Sequence, residues 1–229
     1  MIRLPDIPTQ WLVPAQAICE TGASLFARGY VHGSTGNISV KLEMPGATGY
    51  LMTPTDACLG NLQAQRLALL DAKGQQLFGD PVSKAQRLHR AIYDADPSAS
   101  AVIHTHSHHL VLLTLLGVWR EDSILPFITP YQVMKVGRVP LIQYAVPGDE
   151  QVVVAVSDVI KQAASKQESL RAVMCDRLGP QVWHQSLAQA QAVLEELAQT
   201  ARLWIDGGRM IEPLSPAQID ALRQRFLSR

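Results

Sequence analysis

A chain of 229 residues is long enough for one α/β domain and short for two. Hydrophobic residues make up 47% and charged residues 17%, and 20 Lys+Arg balance 20 Asp+Glu. This excludes a disordered polyampholyte and the basic stripe of a nucleic-acid binder, and leaves a small molecule as the expected partner. Met1–Gln10 carries Asp6 and two prolines instead of a basic start with an apolar core, and apolar runs such as residues 110–117 are far too short to span a membrane. A cytoplasmic protein with no membrane partner is therefore expected. Cys19, Cys58 and Cys175 are odd in number and lack finger spacing, so each reads as a small buried hydrophobe, outside any disulfide framework or structural zinc site.

Taken in chain order, residues 15–28 put Ile18, Leu25 and Phe26 at helical spacing before Gly29 stops the helix. Residues 37–42, 50–53, 66–71 and 101–104 are short strand-like runs between turn residues. Ser83 suits the N-cap of a helix running through Asp96, with Leu88, Ala91, Ile92 and Ala95 on its apolar face and Pro97 beyond its end. A helix from about Ser107, a strand at 140–144, a helix at 150–164 and a strand at 171–175 follow. After Ser186 a long helix carries Leu187, Ala190, Leu194, Leu197, Ala201 and Trp204 on one stripe. Ser215 and Pro216 open a last short helix with Ile219, Leu222 and Phe226, which docks on the core or on a neighbour. No repeat or linker interrupts the chain. The alternation of helices and strands predicts a single domain over residues 1–229, of α/β class, with helices covering both faces of a sheet.

The densest polar cluster is His104-Thr105-His106-Ser107-His108-His109, where the apolar strand Ala101-Val102-Ile103 gives way to a helix. Residues two apart on an extended chain share a side, so His104 and His106 can turn their rings to one cation. The same spacing also suits two partly exposed loop histidines; the strand-end position favours the metal. His108 and His109 fall in the helix's first turn, where His109 faces the core or a hydrogen-bond partner.

Three further pieces suit an anion: Gly33-Ser34-Thr35-Gly36-Asn37 before a strand, Thr53-Pro54-Thr55-Asp56 after the next, and Ser83-Lys84 at a helix start. Small residues let backbone N–H groups approach phosphate oxygens, hydroxyls add donors, and a helix start with a lysine adds positive charge. Any one piece alone also reads as an ordinary turn or cap.

In this order the motifs resemble the class II aldolase/adducin family, over almost the whole chain. The matching stretches are Gly33 to Ser39, Thr53 to Asp56, Ser83 to His89, Val102 to His106, Thr129-Pro130-Tyr131, and the long helix containing Glu195-Glu196-Leu197. Met52 to Gly60, Ser83-Lys84, Val133-Met134-Lys135-Val136-Gly137 and Pro147-Gly148-Asp149 are most similar to the family's branch that decarboxylates 3-oxo-tetronate 4-phosphates. The resemblance implies a mixed sheet between helical layers, a divalent cation (zinc, or manganese), a homotetramer with active sites near subunit contacts, and a phosphorylated sugar-acid substrate converted to dihydroxyacetone phosphate and carbon dioxide. By that resemblance His104 and His106 bind the metal. Gly36, Asn37, Thr55, Asp56, Ser83 and Lys84 bind the substrate and its phosphate. Tyr131 is the proton donor, or else a core or interface aromatic with bound water in its role. Arg177 and Lys135 either attract the substrate carboxylate or are plain surface charge.

Two positions depart from the family pattern. Ala85 stands four before His89, where members carry an acidic residue, and Leu178 stands where an Asn-His-Gly supplies a third metal histidine. The departure implies a weaker metal site, completed by water or substrate oxygens. His184 lies beyond the next strand and is no geometric substitute. Decarboxylation tolerates the missing acid better than retro-aldol cleavage, because it starts with no proton abstraction. The competing expectations are a non-catalytic, adducin-like binding member and an aldolase or epimerase for another sugar phosphate.

Overall fold

The computed structural model describes residues 8–44 and 47–226. Eight strands form one sheet: β1 (Asn37–Met44), β2 (Ala47–Met52), β3 (Ala68–Leu70), β4 (Gln76–Phe78), β5 (Ala101–His104), β6 (Leu141–Ile142), β7 (Ala172–Cys175) and β8 (Gly179–His184). Their order is β4-β3-β2-β1-β5-β8-β7-β6. All neighbours run antiparallel except the parallel pair β6 and β7, so the sheet is mixed. β5 lies at the centre, and all four of its residues are buried, as an apolar run covered on both faces requires.

Among the described residues there are six α-helices: α1 (Leu12–Ala27), α2 (Gln86–Ala95), α3 (His108–Leu116), α4 (Glu150–Ser165), α5 (Leu187–Asp206) and α6 (Pro216–Phe226). Side-chain alternation along β5 splits the core in two. Ile103 packs with Ile18, Leu25, Leu110, Leu194 and Trp204 from α1, α3 and α5. Val102 packs on the other face with Leu88, Ile92, Val156 and Ile160 from α2 and α4. Each fully buried Leu or Ile contributes roughly 1.5–3 kcal/mol of hydrophobic stabilisation. α6 buries no residue completely; Leu214, just before it, donates its N–H to the Phe127 carbonyl at 2.7 Å.

Several element boundaries differ from the sequence expectation. α2 begins at Gln86, with Ala85 at its N-cap, so Ser83 opens a turn ahead of the helix. Its hydroxyl accepts from the Ala85 N–H at 3.3 Å, while the neighbouring Val82 is held in an antiparallel bridge to Pro54. That bridge keeps the chain extended and delays the helix. Residues 64–66 form a 3-10 turn, which leaves only Ala68–Leu70 of the expected third strand. β6 shrinks to two residues. β4, a three-residue edge strand, carries too little periodicity to be read from sequence. Cys175 is buried and its thiol is pushed up to about 12 by that burial, whereas Cys19 and Cys58 are only half-buried.

Candidate active site

The register of the central strands sets three polar residues side by side at one end of the sheet. Asn37 on β1 pairs with His104 on β5, and His104 pairs with Gln181 on β8. Directly opposed residues in antiparallel pairs project from the same face, here the face covered by α2 and α4. His104 is almost completely buried. Its Nδ1 lies 2.8 Å from the Pro180 carbonyl oxygen. A carbonyl only accepts, so Nδ1 carries the proton and Nε2 keeps its lone pair. Burial, and next the proximity of His106, hold His104 neutral, with its pKa down to about 4.

The His106 ring lies 4.9 Å from that of His104, centroid to centroid, at 64°. It is half-buried, and burial followed by the influence of His32 lowers its pKa. His32, which sequence reading passed over, brings its ring within 6.4 Å of His106. Behind His104, the buried His89 has its Nδ1 2.7 Å from Ser39 Oγ, which in turn lies 2.8 Å from the Tyr93 hydroxyl.

Backbone contacts join the three anion-type segments to one another and, at Gly36, to the end of the histidine strand. Gly36 has φ +82°, and a Cβ there would lie 2.8 Å from the His104 carbonyl oxygen, so only glycine allows the loop to close onto the end of β5. The Pro54–Val82 bridge, with the Thr55 N–H donating to the Pro81 carbonyl at 2.8 Å, draws Thr55 alongside Ser83. A cavity of about 500 Å³ results, lined by Gly36, Asn37, Thr55, Asp56, Ser83 and Lys84 together with His104 and His106. Its far wall is the loop containing Tyr144 and Pro147, which leads into α4, where the Asp149 carboxylate accepts from the Gln151 N–H at 2.9 Å.

Ala85 and Leu178 also line the cavity, as do Asp176, Arg177 and Gln181. Gln181 went unnoticed in the sequence; the signal that finds it is its register opposite His104. Tyr131 stands apart: it precedes the short π-helix Gln132–Val136, is 60% exposed, and is no part of this cavity's lining. Lys135, His108 and His109 are likewise outside it, and His184 sits at the opposite end of β8, paired with Ala101. His104 and His106 offer a divalent cation two neutral imidazoles, one oriented by a carbonyl, and in that measure they fit it. Among the described residues no third His, Cys, Asp or Glu joins them in a metal-holding group.

Residues 16–205 match the family model for the class II aldolase and adducin N-terminal domain. The chain belongs to the class II aldolase and adducin family. Its sequence is 50% identical over 190 residues to the 3-oxo-tetronate 4-phosphate decarboxylase of Cupriavidus necator, covering 83% of this chain and 82% of that protein. It is 42% identical over 210 residues to the enzyme of the same name from Escherichia coli strain K12, covering 91% and 94%. Among solved structures, YgbL from Klebsiella pneumoniae superposes with a TM-score of 0.83 at 38% identity, covering 95% of this chain and 100% of that one. The mixed sheet and two-sided helical layers are thus those of a class II aldolase fold, as the motifs implied.

Proposed function

We propose that this family member is a lyase that decarboxylates a 3-oxo-tetronate 4-phosphate to dihydroxyacetone phosphate and carbon dioxide. The observation that carries the reading is the convergence of all three anion-type segments with the His104–His106 pair on one cavity. The relatives at 42–50% identity bear the name of that activity. Lys84, Ser83 and Thr55, with the backbone around Gly36, hold the phosphate, while Asn37 and Arg177 orient the carboxylate. When the C1–C2 bond breaks, its electron pair passes into the C3 carbonyl as an enediolate, carbon dioxide leaves, and a proton returns at C2. A divalent cation, zinc or manganese, held by His104 and His106, supplies Lewis acidity for the charge that develops. Leu178 and the surrounding walls exclude water, which strengthens every charge interaction in the site.

The returning proton comes from Tyr131 of a neighbouring copy, in a homotetramer whose active sites adjoin subunit contacts. Exposed apolar side chains, among them Leu115, Leu116, Trp119 and Tyr131 itself, support such contacts. Three thiols without a disulfide among the described residues support a reducing, cytoplasmic setting. The second reading, a non-catalytic binding member, rests on Ala85 and Leu178, which put apolar groups on the cavity wall.

The deciding experiment supplies purified protein and Zn²⁺ or Mn²⁺ with a 3-oxo-tetronate 4-phosphate and follows carbon dioxide release and triose phosphate. Turnover is expected. Lys84→Ala should raise KM by a factor equivalent to about 1.5–3 kcal/mol, the worth of a hydrogen bond to a charged group, and should leave the weak handling of the unphosphorylated acid unchanged. No turnover at saturating metal would overturn the decarboxylase reading.

A further inference from the structure

Gln181 occupies the position on β8 directly across from His104, where Cβ atoms on one face stand about 5 Å apart. The His104 ring leans toward that strand, since its Nδ1–H is held by the carbonyl of Pro180, the residue before Gln181. Gln181 is 1% exposed yet lines the same cavity as His104 and His106. Its Oε1 has no hydrogen-bond partner. A buried amide oxygen left without a partner costs roughly 1–3 kcal/mol, a cost that a cation or donor reverses on binding.

Other buried polar atoms lack a partner as well, and they are less suited to complete the metal site. His89 Nε2 and Thr105 Oγ1 belong to side chains outside the cavity lining, and Asn37 Oδ1, which lines the cavity from β1 on the other side of His104, lies away from the strand to which the His104 ring is held. No third His, Cys, Asp or Glu joins the two histidines among the described residues. A third protein ligand therefore has to be a neutral oxygen, and catalytic sites of this type characteristically use three protein ligands and an open position.

We propose that Gln181, through its amide oxygen, is the third protein ligand of the divalent cation held by His104 and His106. This rests on the metal-centre reading above. Two imidazoles and a carbonyl oxygen leave the cation's full positive charge unneutralised, which favours Lewis acidity, and the oxygen widens tolerance toward Mn²⁺ relative to an all-imidazole set.

The test titrates chelator-stripped, full-length protein with Co²⁺, reading affinity by competition with a chromophoric chelator and coordination from the visible spectrum. Gln181→Leu, which removes the oxygen, should weaken Co²⁺ binding at least tenfold and alter the spectrum, with a metal-free Tm no lower than that of the wild type. Gln181→Glu, which keeps an oxygen and adds charge, should tighten Co²⁺ binding, and it serves as the readout if the leucine variant fails to fold. Wild-type affinity and spectrum in both variants would overturn the inference. His104→Ala separates the two levels. If it loses Co²⁺ while the Gln181 variants do not, only the ligand assignment falls; if it binds Co²⁺ like the wild type, the metal-centre reading falls with it.

Discussion

His89 and His104 are two buried imidazoles that the fold keeps neutral, at about 3 and about 4 respectively, chiefly through burial. In the unfolded chain both titrate near 6.5. Because the native pKa values are depressed, the unfolded state binds more protons between 6.5 and 4, and the fold's full stability is present only above 6.5. Stability of the metal-free protein should hold level from pH 8 to 7 and then fall by up to ~1.4 kcal/mol per pH unit for each histidine as the pH drops toward 4. His106, His109 and His184, also lowered by burial first, act in the same direction. Glu168 and Glu195 are held low by hydrogen bonds from Arg138 and Arg28, so their losses begin only in the carboxylate range. Urea denaturation at pH 7.5, 6.5, 5.5 and 5.0 reads the histidine effect before the carboxylates enter. In His89→Asn the slope should be shallower, and a wild-type stability that does not change across this series would contradict the argument.

At the scale of elements, the site depends on how closely the start of β8 approaches the end of β5. Gly179 has φ +136°, and a Cβ there would stand 2.0 Å from the Thr105 carbonyl oxygen. No side chain fits, so the strand pair can close only with glycine at this place. The same approach delivers the Pro180 carbonyl to His104 and sets Gln181 beside it. Gly179→Ala should therefore destabilise the fold by more than about 2 kcal/mol in equilibrium denaturation, combining backbone strain with a clash against main chain. It should also lower kcat more than it raises KM, because it moves the histidine and leaves the phosphate segments in place. Wild-type stability in this variant would show that β8 shifts freely.

At the scale of the molecule, Tyr131 lies outside the cavity of its own chain and on the surface. If it serves a neighbour, His104→Ala and Tyr131→Phe proteins should each be inactive, yet a reassembled mixture should regain about a quarter of wild-type activity, since that fraction of sites pairs an intact cavity with an intact tyrosine. A mixture as inactive as its components would remove Tyr131 from the proton step.

Local patterns already determined most of the elements, the helix coverage of both faces and the identity of the polar clusters, because hydrophobic period and turn chemistry act within a few residues. The stripe from Leu187 to Trp204 became α5, and Ala101 to His104 became β5 with the same ends that its apolar run set. Ser83 read as the N-cap of the helix, and the structure instead starts α2 at Gln86, because a bridge between Pro54 and Val82, residues far apart in sequence, keeps the chain extended ahead of it. Likewise, nothing around Gln181 distinguishes it from the other glutamines of the chain. Only the pairing of β8 with β5 sets its amide beside His104, and only the closure of three separate loops makes one cavity of pieces that are individually ordinary. Register and loop closure are long-range contacts, decided by the packing of the whole sheet against its helices, so the tertiary structure alone determines them.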